Sequence, residues 1–256
     1  MSEELIDAGQ YAEGDRVPEV LRRLAAVQDA AEVQPLGLRD GLACFNYLYR
    51  VITEQVQRDY EAGTFADGDF ITRLDVAFAN RYLAAVDAKL EQSPAPWRCL
   101  LELRSDRHIS PLAFAVVGVS AHVNFDLAFA VVETGIEMGR LSLTDHDDYQ
   151  HLNAIFFREM RRLRQHFEDT EERRFERALG LTTLENLLGD ALVVIARYLA
   201  WEKAKRLFAA GHSAVADARA ETATARVVGG INHMLLVFDR TVRYPASVLA
   251  CLGRRP

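Results

Sequence analysis

The chain has 256 residues, of which 50% are hydrophobic and 26% charged, and its formal net charge is −7 at pH 7. This is the composition of a globular protein long enough to bury one large core. The acidic balance argues against a nucleic-acid binder, which would show a basic patch or stripe. The three cysteines show no Cys-x-x-Cys spacing, which excludes a zinc ribbon and a thioredoxin-type motif. Together with an acidic N-terminus that lacks a secretory signal, they predict a cytoplasmic protein.

Helical periodicity is widespread, and no stretch alternates polar and apolar residues as a half-buried strand does. We therefore predict one all-α domain over 1–256, with about eight helices around a buried central helix at about 111–138. Residues 1–16 are expected to be loosely ordered, and residues 212–224 are expected to form a mobile loop. In chain order the helices are expected at 17–31, 38–62, 69–90, 97–107, 111–138, 144–166 and 183–210, and Gly229-Gly230 and Pro245 are expected to interrupt the final helical region.

The predicted central helix contains the most informative segment of the chain, SPLAFAVVGVSAHVNFDLAFAVV at 110–132. Ser110 is a suitable N-cap and Pro111 a suitable first helical residue, and Thr144 is the expected N-cap of the next helix. The segment is long enough to span a bilayer. However, charged groups are rare at a bilayer centre, and His122 and Asp126 lie in mid-segment. We therefore expect the buried axis of a bundle and no membrane span.

His122 and Asp126 are four residues apart and therefore share one side of a helix, while Asn124 points away. Gly118 and Ala115 precede the pair on the same side, and such small residues would leave room beside it. A buried histidine and carboxylate need hydrogen bonds, a partner or a metal. The pair is therefore either half of a metal site or an acid–base pair, or else a core histidine held by an aspartate.

Asp75 is a second ionisable group on an apolar face. It lies in the middle of a helical stripe formed by Ile71, Phe78, Ala79, Tyr82 and Val86. A carboxylate in that position needs a partner. His122 is one candidate, and a buried arginine or tyrosine hydroxyls are the alternatives.

Further candidates lie on other predicted helices. Arg197 and Trp201 share a face with Asp190, so Arg197 either joins a buried ion pair or orients a substrate carboxylate or phosphate. Asn46 and Tyr49 share a face of the second helix and could form hydrogen bonds in the same interior. Asn46, Tyr49, Arg197 and Trp201 are therefore candidate substrate contacts. The aromatic walls of a substrate site would come from Phe78, Tyr82, Phe125 and Phe129.

Three strings of the sequence resemble an uncharacterised, mainly actinobacterial, all-helical family: DGLACFNYLYRVIT at 40–53, RLDVAFANRYLAAV at 73–86 and SAHVNFDLAFAVV at 120–132. The most distinctive part is A-H-[VI]-N-[FY]-D-L at 121–127. The resemblance covers about 38–201 and implies a helical fold but no activity. In ligand geometry alone, Asp75, His108, His122 and Asp126 are similar to ligands of the trinuclear-zinc phospholipase C and P1-nuclease class. The His-x-x-x-Glu motif and N-terminal Trp ligand of that class are missing here.

The leading hypothesis is an enzyme of specialised metabolism that acts on a small, largely apolar molecule. His122, Asp126 and Asp75 would supply acid–base chemistry, or would hold a zinc or iron ion together with His108, in a hydrolase, lyase or cyclase. The alternative is a non-catalytic helical protein that binds a ligand or partner and whose buried His, Asp and Asn groups are structural. The sequence leaves a homo-oligomer open.

Overall fold

A computed structural model describes residues 16–167, 184–211 and 214–243. These residues form α1 (Arg16–Glu32), α2 (Gly41–Glu61), α3 (Gly68–Asp87), α4 (Ala95–Leu103), α5 (Pro111–Met138), α6 (Leu143–Phe167), α7 (Leu184–Ala209) and α8 (Ala214–Arg243). No strand occurs in these three ranges, so the predicted all-α class is confirmed.

Helix α5 is the axis of the fold, as the sequence predicted. Its N-terminus is capped by Ser110, whose Oγ accepts a hydrogen bond from the Ala113 amide at 3.0 Å, and Pro111 is its first residue. Gly139 ends it with a φ of 67°, a left-handed conformation that glycine adopts without steric cost. By length and composition α5 could also cross a membrane, but 83% of its most apolar window is buried inside the bundle.

Among the described residues, α2, α3, α4, α7 and α8 make most of the helix contacts of α5, and α6 makes a few. Helices α2 and α4 contact its first half, α3 and α7 contact its second half, and α8 runs along the first half and the central turn. The approach of α2 is close at Gly118, because a Cβ atom there would lie 2.4 Å from the Phe45 ring. The room that small residues were expected to leave beside His122 is therefore filled by Phe45.

The centre of α5 is not a regular α-helix. Residues His122–Asp126 form one turn of π-helix, in which the Leu127 amide donates to the His122 carbonyl. Such π-helical turns are rare in proteins, and those that do occur often lie at functional sites. The sequence prediction treated the whole segment as uniform α-helix and missed this turn.

Several predicted boundaries differ from the structure. Helix α6 begins at Leu143, and Ser142 rather than Thr144 caps it: the Ser142 Oγ accepts from the Asp145 amide at 3.1 Å, and the Asp145 carboxylate accepts from the Ser142 amide at 2.7 Å. The mobile loop expected at 212–224 is wrong from Ala214 onward, where α8 begins, and the helix continues through Gly229-Gly230. Residues 1–15 and Pro245 lie outside the described residues.

Candidate functional site

The π turn brings His122 and Asp126 together. The His122 Nδ1 and Asp126 Oδ2 atoms are 3.0 Å apart, and the two residues are 3% and 1% exposed. The predicted pairing of these two residues is therefore present. Asn124 points away from the pair, as predicted, and it is exposed on the surface of the bundle, where it donates to the Ser120 Oγ at 3.2 Å.

Asp126 is held by two further side chains that the sequence did not point to. The Trp97 Nε1 donates to its Oδ2 at 2.9 Å, and the Arg81 Nε lies 3.5 Å from its Oδ1 as an ion pair. Arg81 in turn donates to Glu133 at 2.7 Å and to Glu221 on α8. Asp126 is thus held by side chains of α3 and α4. The spacing of residues 81, 97 and 126 along the chain does not predict that these side chains come into contact.

These contacts fix the orientation and the tautomer of the His122 ring. Because the Asp126 carboxylate is an acceptor, the proton of a neutral imidazole lies on Nδ1 and leaves a lone pair on Nε2. Burial lowers the pKa of His122, while the hydrogen bond to Asp126 acts in the opposite direction. The ring also stacks on Phe78, with centroids 3.4 Å apart and an interplanar angle of 6°. His122 is therefore a rigid, neutral base whose free nitrogen is Nε2.

A cavity of about 70 Å³ lies beside the His122 ring, between α2, α3, α5, α6 and α7. Phe78 and Tyr49, both predicted to be substrate contacts, line it together with Asp75 and Arg197. The remaining walls are apolar, chiefly Leu48, Ile52, Val56, Ile71, Leu74 and Phe156. The volume exceeds the roughly 10–15 Å³ that one water requires and is about half that of an engineered cavity of ~150 Å³ that binds benzene.

Three buried polar atoms on residues that line this cavity have no hydrogen-bond partner: the Nε2 of His122, an Oδ of Asp75 and the hydroxyl of Tyr49. Burial raises the pKa of Asp75 from 3.8 to about 7 and raises the pKa of Tyr49 well above its usual value. At neutral pH the cavity therefore offers an acceptor on His122, a phenol donor on Tyr49 and a carboxyl on Asp75 that can give or take a proton.

His122, which was one of the candidate partners of Asp75, does not pair with it. No hydrogen bond or ion pair joins them, and burial alone raises the pKa of Asp75. Their shared feature is the cavity. Among the described residues, no group of three or more His, Cys, Asp or Glu side chains is arranged to hold a metal ion. The predicted ligand set of His122, Asp126, Asp75 and His108 is therefore not assembled, since His108 pairs with Asp106 at 3.0 Å.

Other predicted substrate contacts have structural partners outside the cavity. Tyr82 donates to the Asn46 Oδ1 at 3.1 Å, and Asn46 donates to the Leu24 carbonyl at 2.9 Å. Trp201 packs against the Tyr149 ring at 4.9 Å. These three predicted contacts, Tyr82, Asn46 and Trp201, belong to the packing of the bundle.

Phe125 and Phe129 lie on the other side of the π turn. Their rings flank the Arg81 guanidinium at 5.7 and 5.0 Å. Phe125 and Asp126 line an open groove of about 600 Å³ between α3, α5 and α8. The groove is lined by two arginines and four carboxylates, and both arginines are paired: Arg81 with Glu133 and Glu221, and Arg73 with Glu137. Every charged side chain that lines the groove thus has an ion-pair partner, whereas the carboxyl of Asp75 in the cavity has none among the described residues.

Fold and site together define an all-α bundle with a buried His–Asp pair open to a small apolar cavity. The chain belongs to a family of unknown function, DUF5995, whose profile matches residues 17–237. The prediction of an uncharacterised helical family is confirmed to that extent. A comparison with curated proteins gave no significant match, and a comparison with solved structures gave none either.

Proposed function

We propose that the protein is an acid–base enzyme that acts on a small, largely apolar molecule in the cavity beside His122. One observation carries the proposal: the unpartnered atoms of His122, Asp75 and Tyr49 belong to residues that line one apolar cavity. Buried polar groups in native proteins are nearly always hydrogen-bonded. A bound molecule with a polar end and an apolar body supplies the missing partners.

Each residue has a distinct role in this proposal. The Nε2 of His122 removes a proton from the substrate, and Asp126 orients the ring and stabilises the imidazolium that forms. Asp75, with a pKa of about 7, donates a proton to the atom that develops negative charge or to the leaving group. Tyr49 donates a hydrogen bond to a substrate oxygen. A base and an acid beside one substrate suit a lyase or another proton-transfer reaction.

The second candidate is a non-catalytic ligand-binding protein. The contacts of Asp126 with Trp97 and Arg81 favour it, because a carboxylate whose partners all belong to the protein suits a purely structural role. Binding without turnover would need the same cavity but no proton transfer.

Small neutral probes separate these two functions. Butan-2-one and butan-2-ol should bind the wild-type protein and shift the ¹⁵N resonances of the His122 ring. In D₂O, the wild-type protein should also exchange the hydrogens beside the carbonyl of butan-2-one faster than His122→Gln does. Ile52→Phe is the matched control, because it narrows the partly exposed wall of the cavity and leaves the polar atoms in place.

The outcomes are distinct. Binding with exchange supports the enzyme, whereas binding without exchange supports the ligand-binding alternative. If neither probe disturbs the His122 resonances, the proposed site is wrong. We further propose that the protein works in the cytoplasm without a membrane span, and that the A-H-[VI]-N-[FY]-D-L string marks this site across the family's mainly actinobacterial range.

A further inference from the structure

Arg197 on α7 is a buried cation without an anionic partner. It is 5% exposed and lines the same cavity as His122 and Asp75. Its Nε donates to the Asn153 Oδ1 at 2.5 Å, its Nη2 donates to the Tyr149 carbonyl at 3.1 Å, and its guanidinium lies 4.5 Å from the centre of the Tyr149 ring. In the described parts of the chain, neither a carboxylate nor an acceptor for Nη1 accompanies these contacts.

This arrangement satisfies hydrogen bonds but leaves the charge uncompensated. Amide and carbonyl oxygens orient the guanidinium, but they carry no formal charge, and a buried charge is normally paired. The carboxyl of Asp75 does not serve as the counter-ion, because it forms no ion pair with Arg197 and no cation offsets the effect of burial on it. The cavity is therefore lined by one cation without a counter-ion, Arg197, and by the polar atoms of His122, Asp75 and Tyr49 that have no hydrogen-bond partner among the described residues.

We propose that the molecule bound in the cavity is a short apolar carboxylic acid whose carboxylate pairs with Arg197. Its apolar body lies against Leu48, Ile52 and Leu74, and its other end meets the Nε2 of His122. This inference rests on the proposed function, since it assigns a substrate class to the same cavity.

Three features favour a carboxylate over other anions. Arginine presents a planar fork that matches a carboxylate, and Nη1 is the nitrogen not already used by the protein. The apolar walls disfavour a heavily hydrated dianion such as a phosphate ester. The volume of about 70 Å³ corresponds to about three non-hydrogen atoms when scaled from benzene in a cavity of ~150 Å³, which is the size of the alkyl chain of a short acid such as butanoate.

The test compares each acid with its neutral isostere. Propanoate and butanoate are titrated against propanamide and butanamide, with protein-observed NMR of the wild-type protein as the measurement. The same four probes are then applied to two variants. Arg197→Met keeps much of the length of the side chain and removes its charge, whereas Arg197→Lys keeps the charge but replaces the planar guanidinium by an ammonium. Near-ultraviolet circular dichroism establishes whether each variant is folded.

We expect the wild-type protein to bind butanoate at least about tenfold more tightly than butanamide. Arg197→Met should lose this preference but still bind the amide and butan-2-one, and Arg197→Lys should keep part of it. Equal binding of acid and amide by the wild-type protein overturns the proposal, and this result does not depend on whether any variant folds. Preferred binding of inorganic phosphate also overturns it. Either result would leave the proposed function intact if butan-2-one still binds beside His122, whereas failure of butan-2-one would count against the proposed function itself.

Discussion

Replacing Asp75 with asparagine should stabilise the protein, and the gain should grow with pH. The carboxyl of Asp75 is 9% exposed, and burial raises its pKa from 3.8 to about 7. The folded protein therefore holds a proton that the unfolded chain releases between these two values. Because the folded state binds more protons in this window, stability falls as pH rises from about 4 to about 7. The asparagine side chain is nearly the same size but does not ionise.

The size of the effect follows from the two pKa values. One unit of pKa shift corresponds to about 1.4 kcal/mol, so the ionisation of Asp75 costs about 4 kcal/mol more in the folded state than in the unfolded chain. Between about pH 5 and about pH 8, the free energy of unfolding of Asp75→Asn should gain about 2.5 kcal/mol relative to that of the wild-type protein. Other groups titrate in both proteins and cancel in this comparison.

Urea denaturation at both pH values measures this difference. Glu91→Gln, which makes the same chemical change at an exposed position, is the matched control and should show little dependence on pH. A constant difference between Asp75→Asn and the wild-type protein across this range would refute the reasoning, because it would mean that Asp75 titrates as a solvated carboxyl. A ligand with a polar end bound in the cavity should reduce the gain, since it would compensate the carboxyl.

The remaining predictions concern α5 and α8. Asp126→Leu should cost about 3 kcal/mol in urea unfolding, because it breaks a buried charged pair, and ¹⁵N NMR should show that the His122 ring, which loses its acceptor, no longer favours the Nδ1–H tautomer. Gly118→Ala should cost about 1–3 kcal/mol through overpacking against Phe45, since the new Cβ would lie 2.4 Å from that ring. Gly230→Ala, at a helical position with nothing within 4 Å, should instead stabilise the protein by about 0.5–1 kcal/mol; a loss there would contradict the description of α8 as a continuous helix.

The sequence was sufficient to predict the fold class and most helix positions because both depend on local patterns. Ser110-Pro111 and Gly139 set the ends of α5 through capping and a left-handed residue, and the structure has both. The expected loop at 212–224 was wrong for a physical reason. Its polar composition resembles that of a mobile loop, but it is also rich in alanine, which has the highest helix propensity. Tertiary contacts of α8 with α4 and α5 then stabilise the helix.

The candidate site was predictable only in part, because pairing within a helix is local and pairing between helices is not. The spacing of His122 and Asp126 predicted their contact, and the apolar stripe around Asp75 predicted a buried carboxyl. Neither pattern says which side chain of another helix lies opposite. The contact of Trp97 with Asp126 therefore went unpredicted, as did the separation of Asp75 from His122.

The π turn gives the pair its asymmetry. The Oδ1 of Asp126 pairs with Arg81 in the open groove between α3, α5 and α8, while its Oδ2 accepts from Trp97 and lies 3.0 Å from the Nδ1 of His122. His122 therefore lines the cavity and Asp126 does not. A bound molecule meets the neutral imidazole of His122, which is an acceptor, rather than the carboxylate of Asp126. This separation matters for a ligand that is itself an anion. A carboxylate held by Arg197 would be repelled by an exposed Asp126, but it is compatible with a neutral His122 and a protonated Asp75.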